Sequence, residues 1–228
     1  MKYVGSTLWR NSLMSTGTTL LQGFVNLATV MYLARVLAPT GYGVFSYTWA
    51  FTALFGFLAY LYLGVPPLLT RQLARNTKDA KEQVSYGVTL MVWLSGTVML
   101  LFVISAQIIP VLMHYRMLFD WRSLIFLQAG LNPQWIFSSL QSLWIPMSVN
   151  FAGALLRLGF LILFVHSPTD LRAAVVLTVT TLTLPLVVEF VWLCQLLSFR
   201  FVCFSWTKGL RTIRESLPMG IIAFVTIL

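Results

Sequence analysis

The sequence predicts an all-α integral membrane protein, and three observations carry that reading. Of 228 residues, 58% are hydrophobic and only 9% are charged, against about 25% charged in an ordinary soluble domain. The mean hydropathy is +0.84. The apolar residues gather into six long runs and a seventh that is incomplete, and a helix needs about 20 residues to cross the hydrocarbon core. A soluble globule would lack the charge to coat its surface, and a disordered chain would not be this apolar. Helix is the secondary structure left, because backbone groups in lipid must be satisfied within a segment or in a closed barrel. The short alternating stretches of barrel strands are not visible. The first run is too long for the apolar core of a cleavable signal and lacks a small-residue cleavage site.

The first run, 13–34, carries Ser12, Ser15, Thr19, Gln22, Asn26 and Thr29 at spacings of three and four. That spacing is a single helix face. Such a stripe faces another helix, where it acts as hydrogen-bonding glue, or a water-filled cavity. Its length favours the cavity. The second run, 44–69, ends in Pro66-Pro67, and the third, 84–109, is unbroken. The fourth, 124–144, contains Pro133. The fifth, 147–165, has Arg157 mid-way. The sixth, 171–197, has Pro185 and, deep inside, Glu189. A charge at a helix centre costs roughly 2.5–3.5 kcal/mol on insertion scales. Both groups are therefore expected to point inward, and to pair, either as a buried ion pair or on a transport path. Arg157 would offer a bidentate site to a phosphate, and Glu189 is the candidate ion-coupling group. The prolines in or beside the runs, Pro146 among them, permit kinks. Residues 199–215 are basic and dotted with Phe201, Phe204 and Trp206, reading as an interfacial stretch on anionic lipid or as a plain basic linker. The last run, 217–228, stops after 12 residues.

Loop charge orients the chain. With the N-terminus in the cytoplasm, Lys2, Arg10, Arg71, Arg75, Lys78, Lys81, Arg200, Lys208, Arg211 and Arg214 lie inside. Arg35, Arg116, Arg122 and Arg172 lie outside. This bias follows the positive-inside rule. It also explains the net charge of +9 without nucleic acid, for which no separate basic patch exists. The uncharged connection at 144–147 predicts a tight hairpin, and short connections predict antiparallel sequential neighbours. Arg35 lies off the polar stripe and is expected to snorkel. His114 and His166 sit near outer helix ends and read as interfacial residues. Cys194 and Cys203 form neither a metal-ligand pattern nor a disulfide framework. No catalytic constellation, metal site or cofactor motif is present, so an enzyme is not expected.

Four stretches carry a family resemblance. Residues 34–43 (ARVLAPTGYG) resemble the turn after the first helix of bacterial polysaccharide flippases, and 63–75 (LGVPPLLTRQLAR) are similar to their exit from the second. Residues 132–137 (NPQWIF) resemble the fourth-helix signature, and 215–219 (ESLPM) the start of the seventh helix. Order and spacing both match. The chain departs from the pattern at Tyr62, where the family has an acidic residue, and at Ser139-Leu140-Gln141. These flippases belong to the multidrug/oligosaccharidyl-lipid/polysaccharide exporter superfamily.

The resemblance implies a six-transmembrane-helix lobe (1–198) of a two-lobed, MATE-like transporter, a basic cytoplasmic interfacial linker (199–215), and a truncated seventh helix (216–228). It implies movement of an undecaprenyl-pyrophosphate-linked oligosaccharide from the cytoplasmic to the periplasmic leaflet, coupled to an ion gradient, in the bacterial inner membrane. O-antigen and lipopolysaccharide assembly would be the setting. Arg157 and Arg35 would meet the pyrophosphate, with Gln22, Asn26, Thr19 and Thr29 lining the cavity. Partners would be the lipid-linked oligosaccharide, membrane lipid, and polysaccharide polymerase machinery or a missing C-terminal lobe. The abrupt apolar end at 224–228 reads as a truncated frame or N-terminal fragment, which would be inactive alone. A cation-coupled multidrug exporter of the same superfamily is the alternative, but it prefers acidic cavity residues, and the basic bias here favours an anionic substrate. A membrane-embedded sugar-polymer enzyme would need larger outer loops.

Overall fold

The computed structural model describes the backbone of residues 2–59, 64–75, 80–140, 142–197 and 206–227. Side chains are described for 16–56, 64–75, 80–140, 142–195, 206–218 and 220. Tyr62, Gln141, Phe201, Cys203 and Phe204 lie outside the described residues, as do the side chains of Ser12 and Ser15.

Among the described residues every regular element is helical. The order is α1 (Lys2–Val36), α2 (Ala38–Ala59), α3 (Val65–Arg75), α4 (Ala80–Ile108), the short α5 (Pro110–Met113) and α6 (Arg116–Leu131). There follow α7 (Gln134–Ser139), α8 (Trp144–Phe164), a 3-10 turn (Pro168–Asp170), α9 (Leu171–Leu197) and α10 (Trp206–Ile227). Among the described residues, three helical stretches are long and apolar enough to cross a membrane: Ala80–Ile108, Trp144–Phe164 and Pro168–Gln195. Large apolar side chains such as Leu101, Ile108, Leu163 and Val188 stand exposed on these helices, as lipid solvent requires.

Where the structure differs from the expected runs, proline chemistry is the reason. Within the run 44–69, α3 opens at Val65, just before Pro66 and Pro67. Proline lacks an N–H, which is an orphan donor in a first turn anyway, so it starts a helix better than it continues one. The run 124–144 is divided. Leu131 ends α6, Asn132 is extended (φ −65°, ψ 111°), and Pro133 caps α7. The tight connection falls at residues 140–143 rather than 144–147, because α8 takes Pro146 into its first turn. Pro185 does not break α9. The second half of the basic stretch and the incomplete seventh run form one helix, α10, running unbroken across Glu215.

Sequential antiparallel packing holds for α8 against α9 and for α4 against α6. However, α1 packs chiefly on α8 and only lightly on α2, giving a row α1–α8–α9–α6–α4. Across this row lie α2, against α6, α4 and α1, and the α3–α7 pair. Phe102, Phe119 and Phe126 fill one buried cluster between α4 and α6. Trp135, Ile136, Leu69, Val88 and Leu193 fill another where α3, α4, α7 and α9 meet. Small residues set the close approaches, since lipid gives helices no hydrophobic reason to associate. A Cβ on Gly130 would run into Ser95 and the Met91 carbonyl of α4, and one on Gly153 would run into the Pro185 ring.

Candidate functional site: the α1–α8–α9 seam

Helix α8 presents Asn150, Gly153 and Arg157 on a single face, at i, i+3 and i+7. Gly153 lies directly against Pro185 of α9, and this contact sets the level of everything else. Because α8 and α9 are antiparallel, Glu189, one turn beyond Pro185, falls level with Asn150, one turn before Gly153. Glu189 is fully buried. Its Oε1 accepts a hydrogen bond from Asn150 Nδ2 at 2.7 Å. The same Nδ2 donates to the Pro146 carbonyl at 2.7 Å. The second carboxyl oxygen, Oε2, is buried with no partner among the described residues.

Arg157 lies on the far side of the Gly153–Pro185 contact, about 10 Å along the helix from Asn150. Half-buried, it donates from Nη2 to Asn26 Oδ1 of α1. The expected pairing of Arg157 with Glu189 therefore does not form. Antiparallel packing puts the two groups at different levels, and each is held by a neutral amide instead. Among the described residues the one ion pair is Arg211 with Glu215 at 2.9 Å, on the surface of α10.

The described part of the polar stripe on α1 turns toward α8 at Asn26. Gln22 is half-buried, Thr19 is exposed, and Thr29 is buried. Thr29 donates to its own helix at Val25 O (2.8 Å). Farther along, Tyr32 donates to Val165 O at 2.7 Å and ties the ends of α1 and α8 together. Arg35 is exposed in the last turn of α1, about 13 Å along the axis from Asn26. The seam thus gathers Asn26, Arg157, Asn150 and Glu189, and Arg35 stands apart from it.

Two polar residues of the helix packing, one half-buried and one fully buried, escape the sequence. Asn150 is a lone amide in an apolar run, and nothing in its spacing marks it. Arg122, counted among the outer-side charges, is fully buried within α6. Its Nε donates to Thr48 Oγ1 (3.0 Å) and Nη2 to Phe45 O (3.3 Å), both on α2. The guanidinium lies over the rings of Phe45 and Trp49, 4.7 and 4.9 Å from their centroids. Nη1 has no partner among the described residues. One signal exists: Arg122 interrupts the core stripe Leu118–Phe126 at four-residue spacing.

Chemically, the seam can present a cation that no carboxylate neutralises and, one level away, a buried carboxyl oxygen with an open valence. A family model described as polysaccharide biosynthesis protein matches residues 8–228. The comparisons with curated proteins and with solved structures give no match.

Proposed function

The chain belongs to the polysaccharide biosynthesis protein family, and from that membership we propose that it moves a lipid-linked oligosaccharide across the bacterial inner membrane. In this reading the substrate is an undecaprenyl-pyrophosphate-linked repeat, carried from the cytoplasmic to the periplasmic leaflet for O-antigen or similar polymers. The N-terminus is cytoplasmic, and a second helical lobe and the polymerase machinery are the partners.

The observation that carries the proposal is the state of Arg157. It sits mid-helix in an apolar segment, and its bond is to the Asn26 amide. Among the described residues no carboxylate pairs with it. An unneutralised guanidinium in a low-dielectric seam attracts an anion strongly, and its fork matches phosphate oxygens. Asn26 orients the fork without cancelling its charge. Glu189, with one bonded and one open oxygen, is the group we assign to ion coupling. Gln22 and Thr19 extend the polar face toward the start of α1, and Arg35 would meet the pyrophosphate at the other end. A multidrug exporter for cations would want acidic groups in this seam, and Glu189 is the one the seam holds.

The test is surface polysaccharide in a strain that depends on this protein. Arg157→Leu is expected to abolish display and to leave lipid-linked repeat on the cytoplasmic leaflet, with Arg157→Lys retaining part of the activity. Unchanged polysaccharide with Arg157→Leu, at normal protein level, overturns the reading.

A further inference from the structure

Two helix starts converge on a second cavity, outside the seam. At one, α3 opens on Pro66 and Pro67. At the other, the chain leaves α6 at Asn132 and re-enters helix at Gln134. Between them lies a cleft of about 360 Å³, inside the ~300–1,000 Å³ range of small-molecule sites. Its polar lining is Thr70, Asn132, Gln134 and Ser138, and its apolar lining is Pro66, Pro67, Met91, Ala129 and Trp135. No ionised side chain among the described residues lines it, so the cleft has nothing to hold a phosphate.

The hydrogen-bonding state of this lining is specific. Asn132 spends its Oδ1 on the Gln134 backbone N–H (2.9 Å). That bond fixes the side chain and leaves its amide N–H groups without a partner among the described residues. Gln134 is exposed, and its side-chain amide is likewise unengaged among them. Thr70 donates to Pro66 O (2.8 Å) and Trp135 O (3.2 Å), and Ser138 donates to Gln134 O (2.8 Å). Both hydroxyl protons are committed to these carbonyls, which leaves the oxygen lone pairs as acceptors. Amide donors and hydroxyl acceptors side by side are the complement of vicinal hydroxyls, each of which donates and accepts. The proline rings offer a flat apolar wall for the C–H face of a pyranose. The frame is stiff: Trp135 is buried against Gly87 of α4, and the Thr70 bond ties α3 to α7.

We propose that this cleft binds one or two neutral pyranose units. The assignment rests on the transport reading above, but the cleft is tested separately. The full chain in lipid nanodiscs, free of sugar detergents, is probed with maltose, cellobiose and di-N-acetylchitobiose by saturation-transfer NMR. Transfer to at least one of them is expected. Asn132→Leu and Gln134→Leu should each weaken binding about tenfold, equivalent to ~1.4 kcal/mol, and Arg157→Leu should leave it intact. As a second readout, Ser138→Cys in a Cys194→Ser/Cys203→Ser background should be labelled by a thiol reagent more slowly in the presence of the binding sugar. That measurement stands even where a leucine variant fails to fold. Absence of transfer to all three sugars, or no slowing of thiol labelling in the Ser138→Cys variant by a sugar that binds, overturns the inference. If Arg157→Leu still abolishes polysaccharide display in cells, the transport reading survives that failure; unchanged display would remove both.

Discussion

The Asn150–Glu189 pair makes a quantitative prediction. Replacing Asn150 by leucine leaves both oxygens of a fully buried carboxyl without a donor, because Oε2 has none to begin with. Stranding a buried polar group costs about 1–3 kcal/mol, and more for a charged one. We therefore expect Asn150→Leu to destabilise by about 2–3 kcal/mol. Glu189→Leu removes the stranded oxygen together with the bonded one, and Asn150 keeps its 2.7 Å bond to Pro146 O. Its cost should stay below ~1 kcal/mol, since apolar replacement of similar volume is well tolerated at buried polar sites. The double variant should then match Glu189→Leu alone, a coupling of about 2 kcal/mol between adjacent residues. For a chain of this size each kcal/mol moves the midpoint by roughly 2–4 °C. Thermal unfolding in one detergent, followed by tryptophan fluorescence, would show Asn150→Leu lowered by about 4–12 °C and then rescued by adding Glu189→Leu. Additive losses, or a Glu189→Leu variant weaker than Asn150→Leu, refute the reasoning.

Arg122 obeys the same asymmetry from the other side. Thr48→Val removes the acceptor of its Nε and should cost about 1–3 kcal/mol, whereas Arg122→Met, which removes the buried cation itself, should fall within ~1 kcal/mol of wild type or above it; chemical or thermal unfolding of the two variants checks this. In the 3-10 turn ahead of the apolar run 171–197, Asp170 Oδ2 accepts from the backbone N–H groups of His166 and Ser167, each at 3.0 Å, as part of a capping box. Asp170→Ala strands both N–H groups and should lower the thermal midpoint relative to wild type.

Legibility tracks the kind of signal each feature leaves. Helices α4, α8 and α9 are readable because an uninterrupted apolar run has one structural solution in lipid. The 3-4 spacing on α1 is readable as a face, and Asn26 shows that the face meets α8. The starts of α3 and α7 are visible only as prolines. Nothing local decides whether Pro66 or Pro133 kinks a helix or starts a new one, because that depends on what covers the freed carbonyls. Counting charge along the chain does not reveal that Arg122 is buried. A helix that starts at Arg116 carries position 122 two turns inward, where Thr48 and two aromatic rings of α2 receive it. Helix order is also hidden, since α1 finds α8 through Asn26–Arg157 and Tyr32–Val165, contacts more than a hundred residues apart.

That both seam ions are held by amides, rather than by each other, bears on what they can do. An Arg157–Glu189 pair would satisfy itself: in a low-dielectric interior the attraction is large, and separating the partners strands two charges at a cost of several kcal/mol. Such a pair would resist a ligand. An amide partner fixes direction through one hydrogen bond and contributes no net charge, so a guanidinium keeps its long-range pull on an anion and a carboxyl keeps its affinity for a cation. The spacing of about 10 Å between the two levels on α8 lets each be occupied without excluding the other. Between the two levels α8 and α9 approach so closely that a Cβ at position 153 would run into the Pro185 ring.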